Sequence, residues 1–236
     1  MPALCRPIRH GRSAAEPLHY LVAVSAQSRH DPPAETGKET ARLETFADGV
    51  FAIAITLLVL EIRVPPANTP NLGSALLDQW TEFAAYIISF LTIGVIWVSH
   101  HQMFTVIGRV TPTFLYLNVI FLLPVAFVPY PTALVAQHIQ EPDGRTVAVL
   151  LYGATSVAVA LMFNVLWAYA SARDLIRAGP MREQVNAVAR GFRLGPLVYL
   201  AGTLAAFFNP FVSMAVFAAL AVYWMLPGRI PGRPTL

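Results

Sequence analysis

Cysteine and charged residues are scarce in this sequence. Cys5 is the single cysteine among 236 residues, so the chain can form neither an internal disulfide nor a thiol-rich metal site. Charged residues make up 12%, about half of the roughly 25% that is usual in soluble domains. A chain with so little charge cannot cover a water-exposed surface. A soluble enzyme, a disordered regulator and a secreted disulfide scaffold are therefore excluded.

Hydrophobic residues are abundant instead, at 56%, and they stand in long blocks. Blocks of this length are typical of membrane-spanning helices, so the sequence predicts an all-α integral membrane protein with the lipid bilayer as its surroundings. The net charge is +3, but no basic stripe is interleaved with exposed aromatic residues. We therefore expect no nucleic-acid partner.

Six apolar blocks follow one another along the chain, at residues 45–62, 83–104, 113–136, 146–170, 194–208 and 211–226. The last two are separated by Asn209-Pro210. A single helix over both would be roughly 50 Å long, whereas the hydrocarbon core of a bilayer is about 30 Å thick. Because proline interrupts a helix, we expect a tight hairpin here and six transmembrane helices in total.

The distribution of basic residues supports six spans. With that topology, fourteen of the 16 lysines and arginines lie on one side, and Arg63 and Arg145 lie on the other. Basic residues concentrate on the cytoplasmic side of membrane proteins, so both termini are predicted to be cytoplasmic. The predicted organisation is a flexible N-terminal tail over 1–40, a six-helix membrane domain over 41–227, and a short C-terminal tail over 228–236.

The first block carries a carboxylate, Asp48, where an unpaired charge costs several kcal/mol. Near the cytoplasmic end of the second block, Trp97, His100 and His101 are predicted at a similar depth, and Arg42 precedes Asp48 by six residues. Two interpretations stay open, a polar network that fixes the first helix and a relay for protons or ions. His100 and His101 point about 100° apart on a helix, so they cannot chelate one metal ion together. No metal or cofactor is expected.

A stripe on the same helix has spacing i, i+3, i+4 and i+7: Ile53, Thr56, Leu57 and Leu60. In a span this apolar, the spacing by itself indicates a face that can pack against a neighbour. A ring of such side chains around a symmetry axis can also gate or select ions, because a narrow apolar waist forces them to lose water.

Arg42 and the run Phe-Ala-Asp-Gly-Val-Phe-Ala-Ile-Ala-Ile-Thr-Leu-Leu-Val-Leu-Glu-Ile over 46–62 resemble the signature first helix of the transmembrane protein 175 family. This family comprises lysosomal potassium channels and their bacterial relatives. Trp97, His100 and Phe104 stand on the second span in the family's pattern. One position departs from it, since Ala47 replaces the usual serine and removes a hydroxyl from the polar cluster.

The resemblance implies a cation leak channel that favours potassium, built as a homotetramer of six-helix subunits whose first helices line a central pore. It assigns the constriction to Ile53, with Leu57 and Leu60 further along the pore and Thr56 as a polar layer. It assigns the packing network around the motif to a second set: Arg42, Asp48, Trp97 and His100. Potassium and other monovalent cations are the implied permeant ions, and a bacterial plasma membrane is the implied location.

A second interpretation is a small proton-coupled secondary transporter that uses Asp48 and His100. Such carriers have broken helices at the bilayer midplane in matching positions of two repeated halves. Pro124 and Pro129 interrupt one span, and no matching span is evident. An enzyme is not expected, because clustered histidine or aspartate residues on several spans are absent from the sequence.

Overall fold

The computed structural model describes residues 33–177 and 182–226, and these are helical apart from their turns and one β-bridge between Ile107 and Ile176. Thr36–Leu236 form one unit, and Met1–Glu35 form another, of which residues 33–35 are described. The α-helices of the described residues are α1 Pro33–Leu57, α2 Leu72–Asp78, α3 Trp80–Val106, α4 Pro112–Phe127, α5 Pro129–His138, α6 Arg145–Ala172, α7 Arg182–Leu204 and α8 Pro210–Met225.

Helix α1 begins at Pro33 and passes directly into a 3-10 turn, Leu58–Glu61. Proline suits the first position of a helix, because its missing N–H would have no partner there. Residues 33–40, which were predicted as part of the tail, are therefore helical. Residues 1–32 and the predicted tail 228–236 lie outside the described residues.

Four segments of the described chain are long and apolar enough to cross a membrane: Gly37–Glu61, Trp80–Val106, Pro112–His138 and Arg145–Ala172. They coincide with the first four predicted blocks, so these four spans are confirmed by length and composition. The apolar helices Arg193–Phe207 and Pro210–Met225 are shorter. Six crossings thus stay a prediction.

Proline marks the breaks at Pro129 and Pro210, as predicted, whereas Pro124 lies inside α4 and does not end it. Pro129 starts α5 immediately after Val128 closes α4, so the third span is two helices in succession. Pro210 starts α8, and the side chain of Asn209 accepts a hydrogen bond from the Phe211 amide at 2.9 Å. Across this break the Ser213 hydroxyl donates to the Gly202 carbonyl at 2.7 Å, which fixes α8 against α7.

Small and hydroxyl-bearing residues bring the helices close together. The Thr132 hydroxyl of α5 donates to Ser89 of α3 at 2.8 Å, and Ser89 donates to Tyr152 of α6 at 3.3 Å. A Cβ placed on Gly153 of α6 would lie 2.8 Å from Cβ of Thr203 on α7, so the close approach of these helices depends on glycine. Such contacts are the usual means of helix packing in membranes, where apolar residues gain little by leaving lipid.

Two loop segments meet at one end of the bundle, where α3 and α6 end. Residues 107–111 and 173–177, here called the loop clasp, are joined by backbone hydrogen bonds. The Gly108 amide donates to Leu175 O at 2.8 Å, and the Arg177 amide donates to Val106 O at 2.9 Å. The clasp ties the ends of three spans together.

Candidate functional site

Helix α1 has one buried face and one exposed face. The buried residues recur at intervals of three or four and pack into the main hydrophobic core: Leu43, Ala47, Phe51, Ala54 and Leu58. On the other side, the side chains of Ile53 and Leu60 are 61% and 73% exposed, and Leu57 is 42% exposed. Since residues three and four apart share a helix face, the predicted stripe is a largely apolar surface that residues 33–177 and 182–226 leave exposed.

Polar and small residues interrupt this apolar surface. The Thr56 hydroxyl lies 2.9 Å from the carbonyl oxygens of both Ala52 and Ile53, so it donates to its own helix and keeps lone pairs free to accept. Gly49 is exposed, and a Cβ there would meet open space. The face therefore combines apolar side chains with one hydroxyl and a flat backbone patch.

Asp48 lies at the edge of the exposed face and is joined to α3. The Trp97 indole N–H donates to the Asp48 carboxylate at 2.8 Å. The Trp97 ring stacks on His101 at 6.4 Å, and Nδ1 of His101 lies 2.6 Å from Oε1 of Glu44. Glu44 stands one turn before Asp48 on α1, so two hydrogen bonds join α1 to α3, and the ring contact within α3 orients Trp97 and His101.

His100 occupies a separate position in the interior. It is completely buried, and its Nε2 lies 2.9 Å from the side-chain oxygen of Asn118 on α4. Its ring stacks on Phe104 at 4.4 Å and on Phe121 at 5.3 Å. The structure thus places the predicted residues in two groups, with Asp48 bonded to Trp97 and His100 bonded to Asn118.

Arg42 is exposed, and in residues 33–177 and 182–226 no ion pair includes it. Ala47 is fully buried in the core against which α1 packs. A serine hydroxyl at this position would need a hydrogen-bond partner inside the core. The alanine removes that requirement.

Glu44 and Asn118 belong to these contacts but were not predicted to, and His101, which was expected at the depth of Asp48, contacts Glu44. A polar contact of Asn118 could have been predicted, because an amide within an apolar span costs free energy unless it forms a hydrogen bond. The pairing of Glu44 with His101 joins residues 57 apart in the chain, and no local pattern indicates it. No group of three or more histidine, cysteine, aspartate or glutamate side chains is placed to hold a metal ion in the described parts of the chain.

Comparisons with known proteins agree on one family. A family model described as the endosomal/lysosomal potassium channel TMEM175 matches residues 42–129. A potassium channel of Chamaesiphon minutus is 42% identical over 192 residues, which cover 80% of this chain and 94% of that protein. A potassium channel of Streptomyces collinus is 42% identical over 193 residues, covering 79% and 91%.

A solved structure is similar as well. The crystal structure of a lysosomal potassium-selective channel TMEM175 homolog from Chamaesiphon minutus matches with a TM-score of 0.72 and 41% identity. The match covers 79% of this chain and 96% of that one. Agreement over nearly the whole solved chain extends the similarity beyond the first three spans.

Proposed function

The chain belongs to the TMEM175 family, and from that premise we propose that it is a potassium-permeable cation channel whose α1 helices line a central pore. The family is one of membrane-spanning ion channels, which are not enzymes. The observation that carries the proposal is the exposed face of α1. Of the four candidate spans, the one formed by α1 has the smallest buried share: 28% of its apolar stretch is buried, against 39%, 61% and 44% for the other three.

The composition of this face favours a pore over a surface that contacts only lipid. Carboxylates and hydroxyls are unfavourable on a surface that faces lipid, because placing a polar group in hydrocarbon costs free energy. Asp48 and Thr56 are nevertheless exposed on α1. Around an axis filled with water, both groups have partners.

The proposed assembly is a homotetramer. One chain supplies one helix with such a face, and a single helix cannot enclose a conduit. Closed cyclic symmetry brings identical helices around one axis, so each subunit contributes the same ring positions. Within residues 41–227, the other spans then form the support that holds α1 in place.

The proposed constriction is a ring of Ile53, continued by Leu57 and Leu60, with Thr56 one turn from Ile53. An ion that passes an apolar ring must shed part of its water. Potassium holds its water less tightly than sodium, so we expect a modest preference for potassium. Thr56 offers a hydroxyl oxygen near the position where water is lost. Potassium is the permeant ion, and the mechanism requires no cofactor.

The proposed location is a bacterial plasma membrane, with six crossings and both termini in the cytoplasm. At about 1.5 Å per residue, the 16 residues of α8 measure roughly 24 Å, less than the usual hydrocarbon thickness. Such short helices cross where the bilayer thins around the protein. The strong imbalance of arginine between the two sides supports the orientation.

Ion flux from vesicles tests the proposal. Purified protein is reconstituted, and potassium and sodium gradients are compared with the pH gradient held at zero. We expect passive flux of both ions, with potassium faster. Flux that requires a pH gradient would contradict the channel and favour a proton-coupled carrier that uses Asp48 and His100.

Replacing Ile53 with Asn tests the constriction. A polar ring removes the dehydration barrier, so we expect faster flux and a smaller preference for potassium. Leu161→Asn is the matched control, because Leu161 is also exposed, at 50%, but stands on α6. Equal effects of the two substitutions on selectivity would contradict the placement of Ile53 at the pore constriction.

A further inference from the structure

The loop clasp presents three arginines whose positions are fixed by the fold. Arg109 Nη2 donates to the Asp174 carbonyl at 2.8 Å, and Arg177 Nε donates to the Ile107 carbonyl at 3.1 Å. The guanidinium of Arg173 lies 5.9 Å from the centre of the Tyr169 ring. Each contact orients a guanidinium through a neutral group, so its charge is not cancelled.

The balance of charge in the clasp is strongly positive. Residues 107–111 and 173–177 contain three arginines and one acidic residue, Asp174. No ion pair involves these arginines in the part of the chain that the structure describes. All three side chains are exposed. Arginine binds phosphate with two parallel hydrogen bonds, and a guanidinium anchored on one edge keeps the other edge free for this.

The clasp lies where lipid headgroups lie. Residues 107–111 connect the candidate span that ends at Val106 to the one that begins at Pro112, and residues 173–177 directly follow the span that ends at Ala172. The positive-inside rule places this end of the bundle at the cytoplasmic leaflet, where anionic phospholipids are found. The first turns of α4 also expose Tyr116 and Val119, which provide apolar surface on the membrane side.

We propose that the loop clasp binds the phosphate headgroup of an anionic phospholipid in the cytoplasmic leaflet. Basic pockets between transmembrane helices on the cytoplasmic side bind such headgroups. Here the β-bridge between Ile107 and Ile176 joins the two loops that carry the arginines, so the backbone of both loops is already ordered before a ligand binds. A lipid in this position joins the ends of α3, α4 and α6.

Native mass spectrometry of the full chain tests this with phosphatidylglycerol and phosphatidylcholine of identical acyl chains in equal amounts. The test variant is the double substitution R109Q/R173Q, which leaves Arg177 in place because its side chain packs against Gly108. We expect the preference for phosphatidylglycerol to fall about 25-fold, or about fivefold for each arginine removed. Its lysine counterpart, R109K/R173K, keeps the charge and should retain most of the preference.

The matched control is R190Q/R193Q, which removes two exposed arginines of α7 and changes the net charge equally. We expect the control to keep the preference of the unmodified chain. An equal fall in both double variants would show diffuse attraction to surface charge and overturn the proposal, as would an unchanged R109Q/R173Q. Displacement of the lipid by millimolar inorganic phosphate would assign the site to a soluble anion instead.

A folding defect is recognised by loss of helical circular dichroism. In that case R173Q alone decides the question, because Arg173 contacts the ring of Tyr169 without supporting the backbone. We expect about a fivefold fall for this variant, and an unchanged preference would contradict the proposal. The measurement requires no ion flux, so its outcome is independent of the proposed channel activity.

Discussion

The buried pair of His100 and Asn118 supports a prediction about strongly non-additive effects. Both residues are completely buried, and their side chains form one hydrogen bond of 2.9 Å. Replacing Asn118 with Leu leaves the His100 ring without this partner. Replacing His100 with Phe leaves both polar atoms of Asn118 unpaired. A buried polar group that loses its partner costs about 1–3 kcal/mol, so each single variant should lower the free energy of unfolding by about that amount.

The double variant H100F/N118L should recover most of the loss. Substituting both partners with apolar groups of similar shape is nearly neutral, because no buried polar atom then lacks a partner. Phenylalanine also keeps the ring that stacks on Phe104 at 4.4 Å and on Phe121 at 5.3 Å. We expect the double variant within about 1 kcal/mol of the unmodified chain, with a favourable coupling energy between the two substitutions.

The assay is chemical unfolding of the purified protein in detergent, followed by tryptophan fluorescence for the four members of the cycle. Losses that simply add would refute the reasoning, because the two residues would then contribute independently. Stable folding of the double variant with normal ion flux would assign His100 to packing. Stable folding with flux abolished would assign it a part in conduction.

Two further predictions concern packing, and both are checked by thermal unfolding. Gly153→Ala places a Cβ within 2.8 Å of Thr203 Cβ and should lower the free energy of unfolding by about 1–3 kcal/mol. The control is Gly195→Ala, whose Cβ would lie an ordinary 3.7 Å from Ala160 Cβ, so stability should stay unchanged or rise. Equal losses in the two variants would contradict the close approach of α6 and α7 at Gly153. Asp48→Ala loses the hydrogen bond from Trp97 and should cost about 1 kcal/mol. Asp48→Asn keeps an acceptor for that bond and should cost less, so equal losses in the two variants would show that the charge matters more than the hydrogen bond.

Local pattern was sufficient to locate the apolar helices, although α1 begins at Pro33, within the predicted tail, and α7 begins at Arg182, before the predicted block. Long apolar blocks have few alternatives to membrane helices, since hydrocarbon leaves backbone groups no other partner. The helix breaks at Pro129 and Pro210 followed from the chemistry of proline, which has no backbone N–H to donate to the preceding turn. The spacing on α1 grouped Ile53, Thr56, Leu57 and Leu60 on one face, but in a span this apolar it did not show whether that face was buried or exposed.

Tertiary structure alone decided the partners of the polar residues. The resemblance assigned His100 to one network with Asp48 and Trp97, but the structure stacks His101 on Trp97 and bonds His100 to Asn118, 18 residues along the chain. The loop clasp likewise joins Ile107 to Ile176. Periodicity shows which residues share a face of a helix. The neighbour that this face meets depends on how helices distant in sequence pack together, and single-chain patterns do not contain that information.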